Sequence, residues 1–71
     1  MMERQNVDSS MATSVGYDPD TSTLEIVFRK NGEAWEYYDV PENVYHDLRS
    51  GSIGKYFLTN IKNQYRENRV G

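Results

Sequence analysis

Seventy-one residues with 37% apolar side chains and no cysteine suffice for one small domain held by packing alone, without disulfides, thiolate chemistry or a cysteine-ligated metal. A formal charge of −3 excludes a protein that coats nucleic acid or anionic membrane with its whole surface. Six tyrosines, two phenylalanines and one tryptophan argue against disorder and supply the large buried areas that a small core requires.

The first eight residues are polar and are expected to form a flexible arm, with residues 9–71 as a single domain. Met1-Met2-Glu3-Arg4-Gln5-Asn6 lacks the apolar core of a secretory signal. No stretch approaches the roughly 20 apolar residues of a membrane span, so the cytoplasm is the expected compartment and a membrane is not an expected partner. Residues 11–17 read as a strand, closed by Asp18-Pro19-Asp20, where Pro sits at the turn position that favours φ near −65°. Residues 23–29 give the clearest strand, with Leu24, Ile26 and Phe28 alternating against Glu25 and Arg29. Asn31-Gly32 predicts a tight two-residue hairpin into a third strand over residues 34–39. That turn pairs Phe28 with Trp35 and Ile26 with Tyr37, so Leu24, Ile26, Phe28, Trp35 and Tyr37 share the core face. Glu25, Val27, Arg29, Glu36 and Tyr38 share the other.

Beyond the third strand the period changes. Asp39-Val40-Pro41-Glu42 reads as a helix start, with Asp39 as cap, Pro41 in the first turn and Glu42 at the capping-box position. Val44, Tyr45 and Leu48 form the apolar stripe of a short helix stopped by Gly51. Ser52 caps a second helix expected over residues 53–65, whose Ile53, Tyr56, Phe57, Ile61 and Tyr65 fall on one side. The expected fold is therefore α+β: a three-stranded antiparallel β-meander packed against two C-terminal helices.

Catalytic signals are weak, and no catalytic residue, metal ligand set, cofactor or small-molecule substrate is expected. The single histidine, His46, falls on the solvent side of its helix, and its neighbour Asp47 cannot orient it from the adjacent position. No serine has an evident basic partner. Gly51-Ser52-Ile53-Gly54-Lys55 lacks the spacing of a phosphate-cradling loop. It is read either as an anion site at free helix N–H groups with Lys55 beside them, or as a helix stop and a close-packing glycine at Gly54.

Charge is distributed unevenly. Residues 1–44 hold three cations against nine acids, a net of −6, whereas residues 45–71 hold five cations against two acids, a net of +3. On a continuous helix Lys55, Thr59, Lys62, Arg66 and Arg69 lie within about 80° of one another, opposite the apolar side. Such a stripe suits phosphates, and it equally suits the solvated face of any amphipathic helix.

At Val15-Gly16-Tyr17-Asp18, Trp35-Glu36-Tyr37, Val40-Pro41, Tyr45 and Gly54-Lys55-Tyr56-Phe57 the chain resembles the KTSC domain family, from Arg4 to Tyr65. That family takes its name from the C-terminus of lysyl-tRNA synthetases and occurs also as small stand-alone bacterial and phage proteins. The resemblance implies a domain of unassigned function, with RNA binding suggested by the synthetase context. The family's Tyr-x-Tyr stands here as Trp35-Glu36-Tyr37, and its Tyr-Phe-Asn as Tyr56-Phe57-Leu58, which loses the polar position. Trp35 and Tyr37 invite a base-stacking platform, yet the hairpin register turns both toward the core. Gly16, Tyr17, Trp35, Tyr37, Pro41, Tyr45, Gly54 and Phe57 are accordingly expected to be structural. The expected role is a non-catalytic binding domain that takes RNA, such as tRNA, on Lys55, Lys62, Arg66 and Arg69 with Tyr56 and Tyr65 flanking them. The alternative is a protein-interaction or self-association module, such as a homodimer, pairing through the open edge of the strand at residues 11–17.

Overall fold

Residues 3–71 are described by a computed structural model. Four strands come first: β1 (Glu3–Asn6), β2 (Ala12–Asp18), β3 (Thr23–Phe28) and β4 (Ala34–Tyr37). Helix α1 (Glu42–Ser50) leads through a short break to α2 (Ile53–Tyr56), which runs on as a π-helical turn, Phe57–Ile61, before strand β5 (Glu67–Arg69). The strands form one antiparallel sheet in the order β1-β2-β3-β4-β5. The α+β class stands, but the sheet has five strands and not three. The two additional strands are the polar edges, which carry no alternating apolar signal: Glu3–Asn6 lies in the segment expected as an arm, and Glu67–Arg69 lies beyond the expected end of the last helix.

The hairpin between β3 and β4 also differs from expectation. Its closing pair is Phe28 and Glu33, with Phe28 N–H donating to Glu33 O at 2.9 Å and Gly32 N–H to Phe28 O at 2.9 Å. The loop is residues 29–32, so Ile26 faces Trp35 and Leu24 faces Tyr37. Asn31 Oδ1 accepts from Glu33 N–H at 3.0 Å, an Asx turn that competes with the tight primed turn, and Gly32 takes the left-handed φ of +72° that closes it. Adding two residues to the loop preserves parity, so the expected face assignment survives the shift in register.

On β2 the register breaks between Ala12 and Ser14, leaving Thr13 in a bulge. Arg29 braces it, donating from Nε to Ser9 O at 2.8 Å and from a terminal nitrogen to Ala12 O at 3.2 Å. At the other end Asp20 N–H donates to Asp18 Oδ1 at 3.0 Å, giving the turn that Asp18-Pro19-Asp20 predicts.

The core lies between one face of the sheet and the helices. Val15, Tyr17, Leu24, Ile26 and Tyr37 from the strands meet Val40, Tyr45, Leu48, Ile53, Phe57 and Ile61. Tyr17 stacks on Tyr45 at 5.2 Å and 14°, and its hydroxyl donates to Val40 O. Phe57 meets both Phe28 and Tyr37 edge-on, each at 5.6 Å. Helix α1 starts at Glu42 with Pro41 in the cap position and no side-chain cap, which corrects the capping role expected of Asp39. Asp39 takes φ +59°, a left-handed kink that carries the chain from sheet to helix. No helix among the described residues is long and apolar enough to cross a membrane.

Tyr37 is only 2% exposed, and burial first, then Glu67, holds its phenol well above the ordinary tyrosine value. The folded chain keeps that proton where an unfolded tyrosine, titrating near 10, releases it. Stability is therefore expected to hold up to about pH 10 and to fall above it. Urea midpoints across the alkaline range should show this decline, and Tyr37→Phe should flatten it; an unchanged decline in the variant would exclude Tyr37 as its source.

Candidate functional site: a polar groove between the helices

The second helix is shorter than its apolar period suggests, and the reason lies in its own side chains. Thr59 Oγ1 donates to Lys55 O at 3.0 Å, and Asn60 Nδ2 donates to Tyr56 O at 3.3 Å. Both carbonyls would otherwise serve an α-helical ladder, so the side chains compete with it. The backbone widens instead, and Lys62 N–H reaches back five residues to Phe57 O at 2.9 Å. Lys62 then leaves helical geometry with ψ 126°, and Asn63 adopts a left-handed φ of +64° that ends the segment.

This ending takes apart the basic stripe expected over residues 55–69. Lys55 alone of its cations remains on α2, and Lys62 is the residue at which helical geometry stops. Arg66 lies against the outer sheet face with its guanidinium 5.2 Å from the centre of the Tyr38 ring. Arg69 sits in β5 opposite Trp35, on the other face, and its guanidinium is 3.5 Å from Glu33. Tyr56 stays half-buried beside the helix and Tyr65 half-buried after it. Lys55, Lys62, Arg66 and Arg69 therefore do not share one helix face.

The structure gathers a different set. Asp47, Ser50 and Gly51 from the end of α1, Ser52 from the break, and Lys55, Tyr56, Thr59 and Asn60 line an open groove of about 480 Å³. Ser52 Oγ accepts from Lys55 N–H at 3.3 Å, the expected cap, and Ser50 Oγ donates to Asp47 O at 2.9 Å. Burial first, then Asp47 and Tyr65, push the Tyr56 phenol above its ordinary value. It remains an O–H donor at neutral pH. Lys55 and Tyr56 belong to the expected binding set and Thr59 to the expected stripe, whereas Asp47 and Ser50 lie outside both; their signal is a run of short polar side chains around a helix break.

The residues expected to be structural are placed as follows. Gly16, Tyr17, Tyr37, Tyr45 and Phe57 are buried. Trp35 is half-buried on the core face, its Nε1 donating to Glu33 Oε1 at 3.1 Å. Pro41 is exposed at the start of α1. Leu58 is 64% exposed beside the groove-lining segment. His46 lies on the exposed side of α1, 3.3 Å from Glu42, and no group of three metal-binding side chains occurs among the described residues.

These placements can be set beside known proteins. The family profile of the KTSC domain matches residues 8–65. The chain belongs to the KTSC domain family. A KTSC domain protein from Yersinia pestis has a crystal structure that superposes with a TM-score of 0.95 at 40% identity, covering 100% of both chains. An uncharacterized protein from Stutzerimonas stutzeri is 35% identical over 65 residues, 90% of each chain. A protein from Tsukamurella paurometabola is 35% identical over 63 residues, 87% of this chain and 92% of that one. The KTSC profile ends before β5, so the last strand lies outside it, yet the Yersinia structure matches it throughout.

Within the KTSC motif Gly54-Lys55-Tyr56-Phe57, the glycine is not a close-packing position. A Cβ there would stand 3.6 Å from Met11 Cβ, an ordinary contact, and the residue lies inside a helix. Gly54→Ala is expected to raise unfolding stability by up to about 0.5 kcal/mol, the low end of the interior value, because Gly54 lies in the first turn of α2. Chemical denaturation measures this, and a loss of stability would show that the site has a constraint beyond packing.

Proposed function

We infer that this KTSC domain is a non-catalytic binding module that docks a polypeptide partner in the groove between α1 and α2. The observation that carries it is the character of the lining. Ser50, Ser52, Thr59, Asn60 and Tyr56 offer hydroxyl and amide groups that both donate and accept, with one cation, Lys55, and one carboxylate, Asp47. That mixture suits the alternating N–H and C=O groups of a peptide, with exposed Leu58 adjacent as an apolar contact. A polyanion calls for several convergent cations and is repelled by Asp47. Four of the arginines are also held within the chain: Arg4 by Glu25, Arg29 by the β2 bulge, Arg49 by Gln5 and the Tyr45 ring, and Arg66 by Tyr38. The cysteine-free composition fits a reducing compartment, and we place the module in the cytoplasm.

A displayed random-peptide library selected on the 15N-labelled protein's unlabelled counterpart supplies the probe. Enriched peptides are expected to shift the amides of Asp47, Ser52, Lys55, Thr59 and Asn60, while tRNA at the same low salt leaves them in place. Shifts produced by tRNA at Lys55, Lys62 and Arg66 would instead support the nucleic-acid reading, and peptides mapping to another surface would overturn the groove.

A further inference from the structure

The sheet ends in two open edges, and one of them is complementary to itself. In the ladder joining β4 to β5, Tyr38 N–H donates to Arg66 O at 2.9 Å and Val70 N–H to Ala34 O at 2.8 Å, with Glu36 opposite Asn68 between them. Residues 66, 68 and 70 thus turn their backbone groups inward, and the alternation of an antiparallel ladder leaves the N–H and C=O of Glu67 and Arg69 pointing away from the sheet. All three residues of β5 are exposed.

A second β5 laid antiparallel along this edge, with a twofold axis at Asn68, brings Glu67 opposite Arg69 of the second copy and Arg69 opposite its Glu67. Those are the residues whose backbone groups are free, so four N–H···O bonds form and the phase of the ladder agrees with the charges. Both charged side chains lie on the same face, two residues apart, and each meets its opposite. A shift of two residues in either direction sets Glu67 against Glu67 or Arg69 against Arg69, so charge selects a single register. Within the chain the Arg69 side chain makes exposed contacts, an ion pair with Glu33 at 3.5 Å and a donation from Nε to Gly71 O at 3.1 Å, which a carboxylate across the axis can replace.

The opposite edge lacks this property. In β1, Val7 N–H donates to Thr13 O at 3.1 Å, which turns residues 3, 5 and 7 inward and leaves Arg4 and Asn6 outward. Pairing two copies about residue 4 or 5 sets a cation against a cation or an amide, and pairing about Asn6 sets amide against amide, with Arg4 meeting the opposite charge of Asp8 only beyond the end of β1. The edge expected to self-associate, that of residues 11–17, is covered by β1 and lies inside the sheet.

We propose that the protein forms a symmetric dimer in which β5 pairs with β5 of a second copy about Asn68, joining two five-stranded sheets into one of ten. The contact is isologous and closed, and it leaves the groove on the helical layer untouched. With only three residues on each side it is a weak interface.

Sedimentation of the intact chain up to about 1 mM tests it. A monomer–dimer equilibrium without larger species is expected, and amide exchange at Glu67 and Arg69 should slow as concentration rises, while Asn68, already turned to β4, stays as it is. Glu67→Arg alone or Arg69→Glu alone sets two like-charged pairs across the axis and should weaken association about tenfold or more. The double reversal, E67R with R69E, should restore it. A chain that stays monomeric throughout, that grows past the dimer, or whose single reversals associate as well as the parent overturns the proposal. The exchange measurement on the unaltered protein stands even if a reversal loosens β5 itself.

Discussion

Phe57 packs nearly perpendicular to the rings of Phe28 and Tyr37 at once, and that contact ties the helical layer to the sheet. Each edge-on pair contributes about 0.5–1.5 kcal/mol beyond the area it buries. More important is its position. Phe57 is the residue at which α2 passes into the π-helical turn, so the point where the backbone widens is also a point of contact with the sheet. The groove exists because the segment is pinned there while Lys55 of α2 and Thr59 and Asn60 of the π-helical turn face outward. Removing the ring would leave a cavity between two aromatic edges and free the segment that leads to β5.

The meander and the character of its two faces were legible because alternation is a strong signal when one face is apolar. Leu24, Ile26, Trp35 and Tyr37 fall together on the core side even though the hairpin loop is longer than Asn31-Gly32 suggests, since parity rather than loop length decides the face. Strands β1 and β5 were illegible for the converse reason. Glu3–Asn6 and Glu67–Arg69 are polar throughout, and an edge strand takes its place by backbone hydrogen bonds that no side-chain pattern records. The apolar period overruns the end of the second helix, because residues 57, 61 and 65 keep helical spacing beyond the point where the helix stops. The decisive signal was local: Thr59 and Asn60 hydrogen-bond their own preceding turn, and Asn63 tolerates the left-handed region. Once the helix ends there, the basic stripe that depended on its continuity dissolves. Of the candidate site, Lys55 and Tyr56 were therefore visible in sequence, and the groove around them was not.

The electrostatics follow the same division. Glu25 stands in the middle of the outer face, 6% exposed, and its carboxylate is paired with Arg4 of edge strand β1, which reaches it across Gly16 of β2. Burying a carboxylate costs several kcal/mol if it is left alone, so the polar first strand holds its place partly by supplying that partner. Similar bargains occupy Arg29 and Arg66, one bracing a bulge and the other lying on Tyr38. The −3 total thus averages an acidic first half and a cationic second half, and of the arginines in the second half Arg69 meets a carboxylate, Glu33, while Arg49 and Arg66 rest on tyrosine rings.

Strand order along the sheet is the same as strand order along the chain, and this sets the sequence of assembly. The pairings of β1 with β2, β2 with β3 and β3 with β4 each close a short turn, whereas β4 meets β5 only after both helices, from Tyr37 across to Glu67. Loop entropy makes that last closure costlier by roughly 2 kcal/mol, at about 0.6 kcal/mol for each doubling of length. The four-stranded meander can form from neighbouring contacts while the final strand waits for the helices to dock on Phe28 and Tyr37. The strand that joins last is also the one that opens first, so the far edge of the sheet has a lifetime of its own, shorter than that of the sheet it completes.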